Sequence, residues 1–141
     1  MTELVLSNDL APTFVQIAGG TTPSFVDGRS LLPVWRGNNP TSRTAIMNER
    51  PLDDSKPGPP YHALITQQYT YVEFDTGEME LYDRTRDPYG LQSKHNDVDY
   101  AETMAAFSLR LRAAVEGCEA ETCRTAENAP PLPGQTLSTT P

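Results

Sequence analysis

The sequence has few apolar residues and no long apolar run. Hydrophobic residues make up 37% of the 141-residue chain, and the mean hydropathy is −0.52. No run of about 18 apolar residues is present, so no spanning helix is expected. The start, MTELVLSNDL, carries two acids and lacks the basic region of a signal peptide. Because 13 prolines interrupt regular elements, we expect one domain with a modest core and long loops.

Basic residues are also scarce. The chain has 11 Lys and Arg against 19 Asp and Glu, which gives a net charge of −8 and a pI of about 4.6. These basic residues are scattered along the chain and form no stripe. We therefore expect neither a nucleic acid nor an anionic membrane surface as a partner.

Only two cysteines are present, Cys118 and Cys123, in the segment CEAETC. Their spacing is wider than that of a CxxC redox motif. A zinc site would need further ligands, and His62 and His95 are distant in sequence. A small local disulfide between the two cysteines is one interpretation and indicates an oxidising compartment. Two unrelated free thiols are the alternative.

No catalytic signature is recognisable in the chain. The serines at 24, 30 and 42 lack the glycines of a nucleophile elbow. Four acids cluster in one predicted hairpin without the spacing of an EF-hand, so we interpret them as a charged solvent face rather than a calcium site. These acids are Glu73, Asp75, Glu78 and Glu80.

One histidine is a candidate for substrate contact. His62 begins a predicted strand, and a histidine at a strand edge without a functional role is the alternative interpretation. His95 lies in a polar loop and is predicted to be solvated. Trp35 lies in a short helix and is predicted to serve packing.

The first third of the chain predicts the end of a buried strand at 4–6, followed by two short helices. In SNDLAPTFVQIAGG, Leu10, Phe14 and Ile17 share one face of a helix over 10–18, with an N-cap at Asp9 or Asn8. The segment SLLPVWRG predicts a second helix of two turns at most, with Ser30 as its cap. These elements cannot form a core by themselves, so we expect them to be the edge of a larger domain.

The middle and end of the chain predict a sheet and one long helix. Strands are expected at 43–49, 62–66, 69–74 and 78–83, with a DTG turn at 75–77. A helix over 99–116 follows, with Asp99 as its N-cap and Glu102 completing a capping box. The fold class is therefore α+β: a small antiparallel sheet with one packed C-terminal helix. The buried stripe of this helix is predicted at Tyr100, Met104, Phe107, Leu111 and Val115.

Several segments, taken in order, support a family resemblance. They are SNDLAPTFVQIAGG, DGRSLLPVWRG, RTAIMNE and YVEFDTGEMELYDRTRDPYGLQ. Together they resemble the C-terminal part of the type I, formylglycine-dependent sulfatases, over about residues 3–125. CEAETCRT is similar to the end of the N-acetylglucosamine-6-sulfatase branch, which lies near the arylsulfatases.

The resemblance implies a domain organisation and a function. Residues 1–40 would be a remnant of the alkaline-phosphatase-like α/β domain, 41–117 the C-terminal subdomain, and 118–141 a disulfide loop and disordered tail. The parent would be a sulfuric ester hydrolase acting on sulfated sugars or aryl sulfates, and this chain would close the cleft. The expected partners are the missing N-terminal sulfatase domain and, in the parent, the sulfated substrate.

The resemblance also identifies what this chain lacks. Sulfatases make formylglycine from a Cys/Ser-x-Pro-x-Arg motif, and neither Cys118 nor Cys123 has a proline two residues later. The calcium ligands and the Lys and His around the sulfate lie upstream in the family. We therefore expect no cofactor on this chain and no activity from it alone. Calcium and formylglycine belong to the parent, which is expected to be secreted, periplasmic or lysosomal.

Two origins of the chain remain open at this point. Met1 is expected to start a fragment, a truncated gene model or a decayed gene. The alternative is a free-standing, non-catalytic binding module that pairs with a separately encoded catalytic chain.

The resemblance makes the segment ELYDRTRDPYG part of the scaffold. Asp83 and Asp87 are expected to hold the loop backbone through side-chain hydrogen bonds, with a solvated acidic loop as the alternative for Asp87. Three positions depart from the family pattern. Basic residues are common near Ile65 and Thr70, and Asn is usual at Ser93, which weakens any inference about substrate contacts.

Overall fold

The computed structural model describes residues 3–37, 43–53, 55, 57–116 and 120–132, with the backbone alone for residues 120–123. Four helices and four strands occur in these ranges. They are α1 (Leu10–Ile17), α2 (Leu32–Trp35), β1 (Ile46–Arg50), β2 (Tyr61–Ile65), β3 (Tyr69–Phe74), β4 (Met79–Asp83), α3 (Ala101–Glu116) and α4 (Ala120–Asn128). Single 3-10 turns precede α1 and α3, at Ser7–Asp9 and Val98–Tyr100. Residues 4–6, predicted as a strand end, pair with no strand among the described residues.

The strands form one antiparallel sheet in the order β1-β2-β3-β4. The predicted hairpin between β3 and β4 is confirmed, and Gly77 in its turn has φ of 89°, which glycine adopts without steric cost. β1 begins at Ile46 rather than at residue 43. The backbone N–H groups of Thr44 and Ala45 instead bond to the carbonyl of Glu127, so this stretch is held by another element.

The hydrophobic core lies between one face of the sheet and α3. Leu64, Tyr71 and Leu81 are neighbours across three strands and are at most 1% exposed. Phe107 of α3 places its ring 5.7 Å from the rings of Tyr69 and Tyr71. The core is formed by residues from Ala45 onward, so the first helices contribute little to it.

The predicted stripe of α3 is confirmed. Phe107 and Leu111 are at most 1% exposed, and Tyr100 is also buried. Met104 and Val115 are partly buried against the same cluster. The α+β architecture follows directly from this stripe lying on the sheet.

The start of α3 differs from the prediction. Asp99 lies inside the preceding 3-10 turn, so it does not cap the helix in a box with Glu102. The cap is Asp97, whose carboxylate accepts a hydrogen bond from the backbone N–H of Asp99 and whose backbone is extended, as is typical for an N-cap. Because the helical segment begins at Asp97 rather than at Asp99, Tyr100 lies in the turn before α3. Its side chain is buried, and its hydroxyl donates a hydrogen bond to Asp83 at 3.0 Å.

Helix α4 occupies a segment for which the sequence predicts a disulfide loop and disordered tail. Arg110 of α3 donates from Nε and Nη2 to the carbonyl of Ala126, at 2.9 and 2.6 Å. These long-range bonds, with those from Thr44 and Ala45, fix the end of α4 against α3 and β1. None of the helices in the described ranges is long and apolar enough to cross a membrane.

The predicted disulfide and the end of the tail lie outside the described residues. Cys118 and residues 133–141 are not part of them, and of Cys123 only the backbone is. The disulfide therefore stays a prediction.

The second helix is a single turn. The predicted cap at Ser30 is wrong: the helix begins one residue later, with Leu31 as its N-cap, although Ser30 Oγ accepts a hydrogen bond from the backbone N–H of Leu32 at 3.2 Å. The prediction for Trp35 is wrong, because its side chain is 51% exposed rather than packed.

Candidate functional site

Four charged side chains meet where the N-terminal segment joins the rest of the domain. Arg43 donates from Nη2 to Oδ1 of Asp9 and from Nε to Oε2 of Glu127, both at 2.8 Å, and its Nη1 contacts Oδ2 of Asp9. Arg29 donates from Nη2 to Oε2 of Glu127 at 2.9 Å. We call Asp9, Arg29, Arg43 and Glu127 the ionic anchor, because they join the turn before α1, the loop after α1, the segment before β1 and helix α4.

Asp9 is the centre of the ionic anchor and is fully buried. The sequence predicts an N-cap at residues 8–9, but Asp9 forms no side-chain cap bond to α1. Its carboxylate instead accepts the backbone N–H groups of Leu6 and Arg29, both at 2.8 Å. Asp9 therefore does not cap α1 but connects distant parts of the chain through Arg29 and Arg43.

Thr13 and Gly28 bring the loop after α1 back onto the helix. The hydroxyl of Thr13 donates to the carbonyl of Asp9 at 2.6 Å and accepts from the backbone N–H of Leu31 at 2.8 Å. A Cβ on Gly28 would lie 2.1 Å from the carbonyl oxygen of Asn8, so only glycine fits. These contacts explain why a hydroxyl residue stands at position 13 and a glycine at position 28.

Within the ionic anchor, Asp9 and Arg43 favour each other's charged form although both are buried. Burial alone raises the pKa of Asp9, but hydrogen bonds from Arg43, Arg29 and Leu6 lower that pKa overall. Burial alone lowers the pKa of Arg43, and Asp9 and Glu127 raise it overall. The Asp9–Arg43 pair thus stabilises the carboxylate and the guanidinium in their charged forms away from water.

The opposite side of α1 carries an exposed apolar surface. Leu10, Phe14 and Ile17 are 43%, 60% and 56% exposed, so no described residue covers this face, as expected for the edge of a larger domain. We call these three residues the α1 face. Neighbouring large apolar side chains on one helix are typical of a surface that another structure covers.

Polar substitutions on the α1 face should reduce adhesion without unfolding the protein. We expect Phe14→Ser with Ile17→Ser to lower binding of an apolar dye and self-association, and to change the free energy of unfolding by only about 0.5 kcal/mol. Dye fluorescence, analytical ultracentrifugation and urea unfolding measure these quantities. Leu109→Ser on α3 is the matched control, because Leu109 is exposed singly. An equal effect of the control would contradict the interpretation of the α1 face.

His62 lies in β2, paired with Glu49 of β1 and Glu73 of β3. Its Nδ1 is 3.7 Å from Oε2 of Glu49. With Arg112 and Glu116 of α3, it lines a small cavity of about 150 Å³. Three carboxylates thus surround one histidine and one arginine, which disfavours a sulfate group at this position. The role of His62 in substrate contact stays a prediction.

The predicted scaffold role of the two loop acids is confirmed. Asp83 is buried and accepts the backbone N–H of Thr85 at 3.0 Å as well as the hydroxyl of Tyr100. Asp87 accepts the backbone N–H groups of Leu91 and Gln92 at 2.7 and 2.8 Å. Asp87 is therefore a structural residue of the loop and not only a solvated acid.

One hairpin acid differs from the predicted solvent face. Oε1 of Glu73 accepts hydrogen bonds from the hydroxyl groups of Tyr71 and Ser108, each at 2.6 Å. Glu73 therefore links β3 to α3. Asp75 and Glu78 are exposed. Within the described ranges, no group of three or more His, Cys, Asp or Glu side chains is arranged to hold a metal ion.

Sequence reasoning missed the arginines that hold the domain together. Arg43 and Arg110 are less than one-tenth exposed, yet each lies in a segment where charge suggests solvent. Their partners are far away in sequence, since Arg43 and Glu127 are separated by 84 positions. No local spacing connects such residues, so a single sequence carries no signal for these pairs.

Comparison with known proteins gives a consistent family. The model of the family described as "N-sulphoglucosamine sulphohydrolase, C-terminal" matches residues 1–116. An ulvan-active sulfatase from Formosa agariphila is 28% identical over 83 residues, covering 57% of this chain and 16% of the relative. An N-acetylglucosamine-6-O-sulfatase from Bacteroides thetaiotaomicron is 30% identical over 102 residues, covering 67% of this chain and 18% of the relative.

A solved structure supports the same relationship. The structure of BT4656 in complex with its substrate, D-glucosamine-2-N,6-O-disulfate, superimposes with a TM-score of 0.69 at 25% identity. The match covers 80% of this chain and 25% of that chain. The chain thus spans less than a fifth of the length of these two curated relatives.

Proposed function

Because the chain belongs to the family of sulfatase C-terminal domains that includes the C-terminal part of N-sulphoglucosamine sulphohydrolase, we propose that it completes a sulfatase acting on sulfated sugars. Its role is structural: it covers the edge of a catalytic domain and closes the substrate cleft. The catalytic groups come from the partner domain. The relatives named for N-acetylglucosamine 6-O-sulfate and for ulvan support this substrate class.

The α1 face is the observation that supports this role best. Its three apolar side chains are exposed, while the other side of α1 is fixed to the domain through Asp9 and Thr13. A rigidly held helix with an uncovered apolar face suits a fixed neighbour better than a transient one. The neighbour we propose is the catalytic domain, since the family model describes a C-terminal part.

The chain does not supply the chemistry of sulfate-ester hydrolysis. That reaction needs a nucleophile, positive charge on the sulfuryl oxygens and a proton donor for the leaving group. The Cys/Ser-x-Pro-x-Arg motif, from which sulfatases make formylglycine, is absent from the 141 residues. The described residues also offer no ligand set that fits calcium, so no step is assigned to a metal on this chain.

The purified chain should have no sulfatase activity. We expect no turnover of an aryl sulfate or of glucosamine 6-sulfate above the blank, with or without calcium, because the reacting groups lie elsewhere. A continuous chromogenic assay and ion chromatography of released sulfate measure this.

A panel of variants separates contamination from an overlooked site. The panel is His62→Ala, Cys118→Ala and Cys123→Ala. Turnover that survives all three substitutions comes from a contaminating enzyme. Turnover that disappears with a single substitution means that the chain has an active site of its own, and the proposed structural role is wrong.

A further inference from the structure

A polar cavity lies between the loop after α1 and helix α4. Its volume is about 420 Å³, which is ample for a small ion with its hydration. None of the three residues of the α1 face is among its lining residues. We call it the Arg124 cavity, and the polar residues that line it are Thr22, Ser24, Arg29, Ser30, Arg124 and Asn128.

Positive charge exceeds negative charge around the Arg124 cavity. Arg43 and Arg124 both repel Arg29, and the ionic anchor supplies Asp9 and Glu127 as counter-charges. In the described part of the chain, Arg124 has no ion-pair partner. The chain as a whole has a net charge of −8, so this local excess of positive charge runs against its overall composition.

Arg124 also has a donor without an acceptor. Its Nη2 contacts the carbonyl oxygen of Val26, which fixes the guanidinium against the loop. Its Nε is buried and has no hydrogen-bond partner among the described residues. A buried, unsatisfied donor on a charged group is costly, and an anion in the adjoining cavity would offset part of that cost through its charge.

The neighbouring groups have donors to spare. Arg29 donates to Glu127 and Asn128 from Nη2 and Nη1, and a guanidinium carries five N–H donors. Ser30 accepts the N–H of Leu32, so its hydroxyl hydrogen is free to donate. Burial and then repulsion from Arg43 lower the pKa of Arg29, and Arg124 adds to that repulsion. An anion in the cavity would relieve this repulsion.

We infer that the Arg124 cavity binds a sulfate-like oxyanion, with the guanidinium groups of Arg124 and Arg29 as the charged donors and Ser30 as a hydroxyl donor. Two guanidinium groups with a hydroxyl match the oxygens of sulfate, which accept several charge-assisted hydrogen bonds at once. The shared chemistry is that of free sulfate and of a sulfate ester on a sugar. The inference rests on the geometry of the cavity and does not depend on the proposed catalytic partner.

Titration of the full chain with sodium sulfate tests the inference. Sodium chloride holds the ionic strength constant, so that screening does not change during the titration, and backbone ¹⁵N chemical shifts report binding. We expect saturable shifts around residues 22–30 and 124–128. Parallel titrations with glucosamine 6-sulfate and glucosamine distinguish the sources: the free ion and the ester should both bind, and the uncharged hydroxyls of glucosamine should not.

Two variants and a matched control decide the result. Arg124→Gln should weaken sulfate binding about 10-fold or more, as expected when a charged hydrogen bond is lost. Ser24→Glu places a carboxylate at the exposed rim and should also weaken binding while leaving Arg124 in place. Arg36→Gln removes the same charge from an exposed position and should leave binding within about 2-fold of wild type.

Several outcomes would overturn the inference. They are shifts that do not saturate, binding of glucosamine equal to that of its sulfate ester, or equal weakening by Arg124→Gln and Arg36→Gln. Far-UV circular dichroism establishes that each variant is folded. If Arg124→Gln does not fold, Ser24→Glu alone decides, and unchanged sulfate affinity in that variant counts against the site.

Discussion

Replacing Asp9 with Ala should destabilise the domain by about 3–5 kcal/mol, enough to unfold a marginal protein. Asp9 is fully buried and accepts hydrogen bonds from Arg43 and two backbone N–H groups. Without it, Arg43 keeps a buried charge with one carboxylate instead of two, and the donors of Leu6 and Arg29 lose their acceptor. Urea unfolding followed by circular dichroism measures the change.

The control for this prediction is Asp27→Ala. Asp27 is exposed and lies in the loop that Asp9 holds, so its loss should change stability by about 0.5 kcal/mol or less. A loss below about 1 kcal/mol for Asp9→Ala would mean that the ionic anchor does not hold the N-terminal segment.

The pH dependence of the free energy of unfolding gives a second test of Asp9→Ala. The pKa of folded Asp9 lies below the usual 3.8, so its stabilising effect is fully present above the unfolded pKa. That effect is lost as the pH falls below 3.8 through the lower folded pKa. The difference in stability between wild type and Asp9→Ala should therefore shrink on acidification in that range. Asp83, whose pKa is also lowered, leaves a residual acid dependence in both proteins.

Leu111→Ala should cost about 2–5 kcal/mol. Leu111 is 1% exposed and packs in the core between α3 and the sheet, so its removal leaves a cavity that the fixed sheet cannot close. Leu109→Ala lies on the same helix with a side chain 74% exposed and should cost less than about 1 kcal/mol. Equal losses for the two variants would contradict the orientation of α3.

The elements that sequence predicts well are those with local signals. The β3–β4 hairpin follows from alternating aromatic and β-branched residues around a glycine turn, and α3 follows from the period of its apolar stripe. Both signals lie within a few neighbouring residues. The exposed α1 face was predictable for the same reason, since three apolar residues at helical spacing had no sheet to cover them.

The elements that sequence predicts poorly depend on distant partners. Helix α4 has no apolar residue larger than alanine or cysteine, and its end is held by Arg110, Thr44 and Ala45. Asp9 looks like a helix cap, because Asp before a helix usually is one, yet Arg43 and Arg29 recruit it for a tertiary role. The ion pair with Arg43 replaces the expected cap bond. Because Arg43 lies 34 positions away, the local sequence around Asp9 does not indicate this pair.

The candidate site shows the same limit. His62 was identifiable as a polar residue in an apolar strand, but its neighbours Glu49, Glu73 and Arg112 come from three other elements. The Arg124 cavity combines a loop and a helix separated by about a hundred positions, which no motif describes. Both sites are therefore properties of the fold and not of any segment.

A chimeric enzyme tests the central claim most directly. The N-acetylglucosamine-6-O-sulfatase of Bacteroides thetaiotaomicron, cut before the segment that matches this chain, is compared with the same truncated enzyme fused to the chain. The measured quantity is the turnover of glucosamine 6-sulfate per folded molecule. We predict that the fusion restores activity lost on truncation, and that Phe14→Asp on the α1 face removes the gain while Leu109→Asp does not. A soluble, folded fusion with no more turnover than the truncated enzyme would contradict the claim that this chain completes a sulfatase.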